Sequence, residues 1–452
     1  MNTFEWLLIF FIHDDNFEFS ALKLNTLPKV EINEKVKLIL IHNKRIFLRK
    51  LDESETGLNS IKEDLVYYRT IIKTLERREN EIVEVELKEL ITWKEGFEYL
   101  FANYSAKKIG LYTLSHAAGI VINRNNVDLI SQTYQKSFKT VQRLRSFPKG
   151  HKSEYIALKL DNFQTYYTLK TITFKEYNAY LNPYPIKYIR NFDFKYCKNY
   201  EGLFTFEFAQ VLTQFLNGKK LAFIVFSNCN MLLYDNGFLF NSITENIIAS
   251  QSYSDPLFSN PRVLVETVYE NTEVSSDEMA KLLFSNFIEK DPIADKSRFY
   301  FLLSTKDFNK IHGLFNDFLE SLIKELIGNQ GLKQEILKLL RTNLLPSTSD
   351  DRRISFIDVV NLFDRICSLP TIHNISNLKN LSLQFQEMFL SNLVISRSQP
   401  DTDHQGLSIY LPLSKEHFED LKGPICNYFN KDNPNWFLQS SAYDEFIMTL
   451  YS

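Results

Sequence analysis

The chain has 452 residues, 44% of them hydrophobic, with Phe 38, Tyr 23 and only 13 Gly and 13 Pro, a supply that builds a large aromatic-rich interior and excludes a disordered chain. A formal net charge of -3, from 52 basic and 55 acidic residues, gives no overall field to gather nucleic acid or an anionic membrane surface. The length exceeds one ordinary compact core. It is read as a domain over 1–260 with an insertion at about 125–200, followed by a mainly helical domain over 261–452.

Residues 6–12 form an apolar run with no basic flank before it, ending at His13, Asp14 and Asp15. It is far shorter than the roughly 20 residues a membrane helix needs. The run reads as a buried first strand rather than a signal peptide, so the chain as given is expected in the cytoplasm, or outside the cell if a leader has been trimmed. Further strand-like runs follow at 36–41, 109–114 and 221–226, and the stretches 62–76 and 206–216 read as helical crossovers. Thr205 stands where it caps the second, Phe208, Val211, Leu212 and Phe215 recur at helical spacing, and Asn217-Gly218 stops it. Buried runs joined by amphipathic crossovers imply an α/β fold with a largely parallel sheet between helices. Within the insertion, the basic Pro- and Gly-containing segment 143–152 is either a solvated loop or a cleavable linker.

Beyond 260 the pattern turns helical, over 276–288, 308–328, 332–345 and 354–368. Asp307 and Asp350 or Asp351 stand near starts, Gly328 and Pro346 near ends. A late apolar segment at 406–412 reads as one more strand, with the main sheet as one place for it.

The four cysteines, Cys197, Cys229, Cys367 and Cys426, lie far apart without a CxxC pair. They are read as free thiols, with no metal ligands among them. Cys229 and His116 each follow a predicted strand, and in an open parallel sheet the carboxyl ends of neighbouring strands meet in one crevice. A helix over 231–240 beside the thiol favours the thiolate. His116 then serves as general base and acid, and the backbone amides of Ala117 and Cys229 form an oxyanion pocket. Spacing alone does not decide this, since a Cys after a strand is more often a small buried hydrophobe and a lone His an ordinary polar residue.

Local sequences add a resemblance. Trp6-Leu-Leu-Ile-Phe-Phe-Ile-His-Asp-Asp-Asn16, Ile109-Gly-Leu-Tyr-Thr-Leu-Ser-His116-Ala-Ala-Gly119, the 203–212 helix with Gly218-Lys-Lys-Leu-Ala-Phe-Ile-Val-Phe-Ser-Asn-Cys229-Asn-Met231, Thr244-Glu-Asn-Ile-Ile-Ala-Ser-Gln251, and Gly406-Leu-Ser-Ile-Tyr-Leu-Pro412 follow one another as in clostripain-like cysteine peptidases. The resemblance implies a caspase-like, mostly parallel sheet flanked by helices and a mainly helical C-terminal domain. It also implies a His116/Cys229 dyad that hydrolyses a polypeptide substrate through an acyl-enzyme. Where the family usually has Asp-Ala-Cys, this chain has Ser227-Asn228-Cys229; the family's Asp is associated with a basic residue at the cleaved bond, so a neutral Ser227 removes that carboxylate from the pocket. Asp255 either restores a negative charge there or is a turn residue in Ser254-Asp255-Pro256. No cofactor is implied, except that calcium is a feature of some relatives. The rival reading is a catalytically decayed chain of this fold acting as a binding or scaffold module. The sequence fixes neither an oligomeric state nor a substrate.

Overall fold

The run beginning at Trp6 is apolar at every position because both of its faces are covered. In the computed structural model of the chain it forms β1 (Thr3–His13). Its side chains alternate between two hydrophobic clusters, Leu7, Ile9 and Phe11 in one and Trp6, Leu8, Phe10 and Ile12 in the other. The structure describes residues 3–13, 33–47, 66–78, 81–90, 92–114, 121–122, 157–158, 167–168, 203–228, 230–251, 260–290, 299–342, 355–372, 375–399, 403–411 and 441–452.

After β1 come β2 (Val36–Phe47), β3 (Val66–Arg78), β4 (Glu81–Leu90), α1 (Trp93–Asn103) and β5 (Ser105–Leu114). Short pairs follow, β6 (Val121–Ile122), β7 (Ala157–Leu158), β8 (Tyr167–Thr168) and β9 (Leu203–Phe204), then α2 (Thr205–Leu216), β10 (Phe223–Ser227), α3 (Tyr234–Phe240) and β11 (Asn246–Ser250). The remainder is α4 (Pro261–Glu270), α5 (Ser276–Lys290), β12 (Tyr300–Ser304), α6 (Phe308–Leu326), α7 (Gln330–Thr342), β13 (Ser355–Asp358), α8 (Val359–Cys367), α9 (Ser376–Met388), β14 (Val394–Arg397), β15 (Ser408–Leu411) and α10 (Tyr443–Tyr451).

The main sheet has nine strands in the order β14-β12-β11-β10-β5-β1-β2-β3-β4. Its centre, β2, β1, β5, β10 and β11, is parallel, and antiparallel strands extend both edges. This is the expected mostly parallel sheet flanked by helices. One face is covered by α1, α2, α3 and the C-terminal helices, through Phe97, Phe208, Phe240, Phe315 and Phe363; the other is covered by α4 and α5 through Leu264, Val268, Leu283 and Phe287. β12 and β14, both C-terminal to residue 260, are hydrogen-bonded into this same sheet.

At the centre, close packing demands a glycine. A Cβ on Gly110 of β5 would stand 2.6 Å from Phe223 Cε2 and 2.9 Å from Leu8 Cδ2, so the rings of β10 and the side chains of β1 close over a position that has none.

Two helix expectations are corrected. The stretch 62–76 is not a crossover helix, since residues 66–78 form β3, antiparallel to β2. Thr70, Ile72 and Thr74 are buried at spacing two, and this β-branched set with the neighbouring tyrosines suits a pleated surface. The stretch 354–368 is a strand and then a helix, broken at Asp358, whose side chain accepts from the amides of Val360 and Asn361 and so caps α8. The late strand β15 pairs antiparallel with β13, outside the main sheet. Helix α1 had no counterpart in the sequence reading. It starts with a reciprocal cap in which Glu95 N donates to Thr92 Oγ1 (3.3 Å) and Thr92 N donates to Glu95 Oε2 (3.2 Å).

Candidate active site

Parallel strands deliver their carboxyl ends to one crest of the sheet, and β5 and β10 lie side by side there with Ser227 in register with Leu114. His116 and Cys229 each come two residues after one member of this pair. His116, Ala117, Cys229 and Asp255 themselves lie outside the described residues, as does the segment 143–152.

Described residues close to both positions are polar and buried. Thr113 Oγ1 donates to Asn228 Oδ1 at 2.6 Å, with both residues at most 1% exposed. One hydrogen bond thus ties the strand leading to His116 to the residue just before Cys229. Ser227, the last residue of β10, is 3% exposed, and its Oγ has no hydrogen-bond partner among the described residues.

On the next strands, Thr70 Oγ1 donates to Asn43 Oδ1 (3.2 Å), and Asn43 Nδ2 lies 2.7 Å from Nδ1 of the buried His13. The three side chains form one buried chain of hydrogen bonds, in which the His13 tautomer sets the donor between the ring and the amide. His13 and Asn43 are in register on β1 and β2; His13 lay within the 6–16 segment of the resemblance, without a role of its own, and Asn43 was in no motif.

The residues after Cys229 depart from expectation. A helix over 231–240 was to follow the thiol directly, but α3 begins only at Tyr234. Asn230 has φ 57, a left-handed conformation that Asn adopts more readily than most residues. Residues 231–233 are extended, with Leu232 N donating to Ser250 O (3.2 Å), Ser408 N donating to Leu232 O (2.9 Å), and Leu233 bridged to Ser408. Backbone partners on both sides keep this segment out of a helix. The helix therefore starts three residues later than the sequence reading had it.

The edge of the crest is built by a buried polar network that the sequence reading missed. Gln251, the residue after β11, donates from Nε2 to Asp358 Oδ2 (2.7 Å) and to Ser408 Oγ (2.9 Å), and accepts at Oε1 from Gly406 N (3.1 Å). Asp358 Oδ2 accepts also from Gln405 N (2.8 Å), while Oδ1 caps α8. Loss of solvent on burial pushes the Asp358 pKa up to about 6, against the pull of these donors, of which Gln251 lowers it most.

Among the described residues no group of three or more His, Cys, Asp or Glu is placed to hold a metal ion. No helix among the described residues is long and apolar enough to cross a membrane.

No family model and no curated protein sequence matches the chain. Solved structures do. The chain is similar to an inactive zymogen of a C11 protease from Parabacteroides distasonis, at 10% identity and a TM-score of 0.51, over 100% of this chain and 99% of that one. A secreted C11 cysteine protease from Bacteroides thetaiotaomicron, in complex with an irreversible peptide inhibitor, aligns at 12% identity and a TM-score of 0.48 over 99% of each chain. Over its whole length, then, this chain has the caspase-like α/β fold of the C11, or clostripain-like, cysteine proteases.

Proposed function

We propose that the chain is a cysteine endopeptidase of the clostripain-like family, with Cys229 as nucleophile and His116 as its proton partner. The observation that carries the reading is the β5–β10 register, in which the paired Leu114 and Ser227 precede His116 and Cys229 by the same two residues. The whole-chain likeness in fold to a C11 protease supports it. In the reaction, Cys229 Sγ adds as thiolate to the scissile carbonyl carbon, and the backbone amides of Ala117 and Cys229 receive the developing oxyanion. The C–N bond breaks as His116 gives a proton to the departing amine, leaving a thioester. Water, deprotonated by His116, then splits the thioester into a carboxylic acid and the free thiol.

Pocket specificity is part of the proposal. Ser227 is neutral and buried, so unless Asp255 supplies the charge, an Arg or Lys side chain entering beside it gives up water without an anionic partner. A neutral residue at the cleaved bond is the preferred substrate.

The test is direct. Cys229→Ala lowers peptide hydrolysis at least about 1000-fold while leaving the fold intact, and His116→Ala has a similar effect. A thiol-directed probe labels Cys229 far faster than Cys367, which is buried in α8 where loss of solvent pushes the thiol pKa up. Unchanged turnover in Cys229→Ala removes the nucleophile assignment, and equal labelling of Cys229 and Cys367 favours the scaffold reading.

A further inference from the structure

We infer that Asp358 and Gln251 act as a buried clasp that positions the Cys229 nucleophile, by locking residues 405–408 against the extended segment 231–233. The inference rests on the peptidase reading above and names two positioning residues for it.

The clasp is built from three stretches remote in sequence. Leu232 is held on one side by Ser250 O and on the other by Ser408 N. Two residues separate it from Cys229, and one of them, Asn230, is already committed to a left-handed backbone. In the proposed arrangement a shift at Leu232 is passed through this short connection to position 229. Ser408 in turn is held by Gln251, whose side chain spends its donors on Asp358 and Ser408 Oγ and its carbonyl on Gly406 N. Gly406 has φ 135, and a Cβ there would press on Val394 Cγ2 at 3.1 Å. The segment is shaped to fit this one seat.

Capping α8 explains only half of Asp358. Oδ1 alone takes the amides of Val360 (3.1 Å) and Asn361 (3.0 Å). Oδ2 goes to Gln251 and Gln405, both outside α8. Asp358, Gln251 and Ser408 are each at most 1% exposed. A carboxylate in that setting is costly, and a helix cap alone needs neither its charge nor its second oxygen. What the second oxygen adds is a fixed geometry for residues 405–408, and through them for Leu232.

Donor and acceptor chemistry supplies the test. Asp358→Asn keeps an oxygen for the α8 cap and turns an amide NH2 toward the two donors Gln251 Nε2 and Gln405 N. The rate of Cys229 alkylation by iodoacetamide, followed by mass spectrometry of the peptide that carries it, is expected to fall about 10- to 100-fold, the scale of a misplaced reacting group. Gln251→Ala, which leaves the Asp358 cap on α8 in place, should show the same direction of loss. The double variant, Gln251→Glu together with Asp358→Asn, exchanges donor for acceptor across the clasp, and the carboxylate placed at position 251 still accepts from Gly406 N. It should recover part of the rate, since Gln405 N still faces the amide placed at position 358, and a partial recovery is one that loss of a cap does not predict. Amide exchange at Ser408 and Leu232 should quicken in Asp358→Asn and slow again in the double variant. If wild type labels Cys229 rapidly and Asp358→Asn and Gln251→Ala label within twofold of it, the clasp is overturned and the peptidase reading stands. If wild-type Cys229 labels no faster than Cys367, the peptidase reading fails and takes the positioning role with it.

Discussion

Replacing Thr113 by Val removes a side-chain bond that joins β5, the strand before His116, to the end of β10, the strand before Cys229. The change keeps the shape of the side chain and removes its hydroxyl, so packing beside Leu111 and Phe226 is preserved. Thr113 is 0% and Asn228 1% exposed, and their bond is 2.6 Å long. Water therefore cannot replace the lost donor at Asn228 Oδ1, and the cost is that of a buried acceptor deprived of a partner, about 1–3 kcal/mol. Asn228 keeps other interactions, which places the loss toward the lower half of that range. Urea unfolding of wild type, Thr113→Val, Asn228→Ala and the double variant forms a cycle in which the pair should show a coupling of about 1 kcal/mol. Because the bond ends one residue before Cys229, iodoacetamide labelling of that thiol should slow in Thr113→Val as well. A coupling under about 0.3 kcal/mol, within the additivity of independent sites, together with unchanged labelling, would show that the strands are aligned by the backbone ladder alone.

Three further outcomes are expected. Asp358 has a folded-state pKa near 6 against an ordinary value of 3.8, so the folded protein holds the proton more tightly; its contribution to stability is present in full below pH 4 and declines as pH rises through 6, by about 3 kcal/mol, and urea midpoints of wild type measured against the non-titrating Asp358→Asn should show that slope or the burial argument is wrong. Gly110→Ala should lower stability by about 1–3 kcal/mol or more, because its methyl collides with Phe223 and Leu8; an unchanged thermal midpoint would mean that β1 and β10 yield easily there. Ser227→Asp should move the ratio of kcat/KM for matched peptides toward Arg or Lys by about 1–3 kcal/mol and, because position 227 is 3% exposed, should lower stability at neutral pH when no cation is bound; a ratio that stays fixed would point to Asp255 as the source of charge.

The central strands were legible because burial on both faces leaves continuous apolar runs, as at 6–12 and 221–226, which no helix of similar length shares with such β-branched and aromatic content. Helix α2 was legible for the opposite reason, since Phe208, Val211, Leu212 and Phe215 mark a single face. Misreadings fell where one window serves two periods. Residues 62–76 carry apolar side chains that match a helical stripe, yet Thr70, Ile72 and Thr74 count by two and are the ones buried in the sheet. At 354–368 an apolar stretch runs unbroken through Asp358, so nothing in the periodicity marks the change from β13 to α8. Only the two amides that Asp358 caps reveal it.

The site divides along a different line. Its reactive residues were named from local patterns, each read within a dozen positions of its strand, whereas the bonds that hold their surroundings span the chain: 115 residues from Thr113 to Asn228, 107 from Gln251 to Asp358 and 157 from Gln251 to Ser408. A Thr, a Gln or an Asp at a strand end has no period and no spacing that announces its partner, and each is as ordinary in a turn as in a buried network. Yet three of the stretches that carried the family resemblance, 218–231, 244–251 and 406–412, adjoin one another in the fold. Gln251 from the second bonds to Ser408 in the third, and Ser408 bonds to Leu232, one residue beyond the first. Their order in the sequence reflects a meeting in space around the residue that follows β10. Under the proposed function, that meeting, more than the presence of a thiol at 229, is what would distinguish a nucleophile from a buried cysteine such as Cys367.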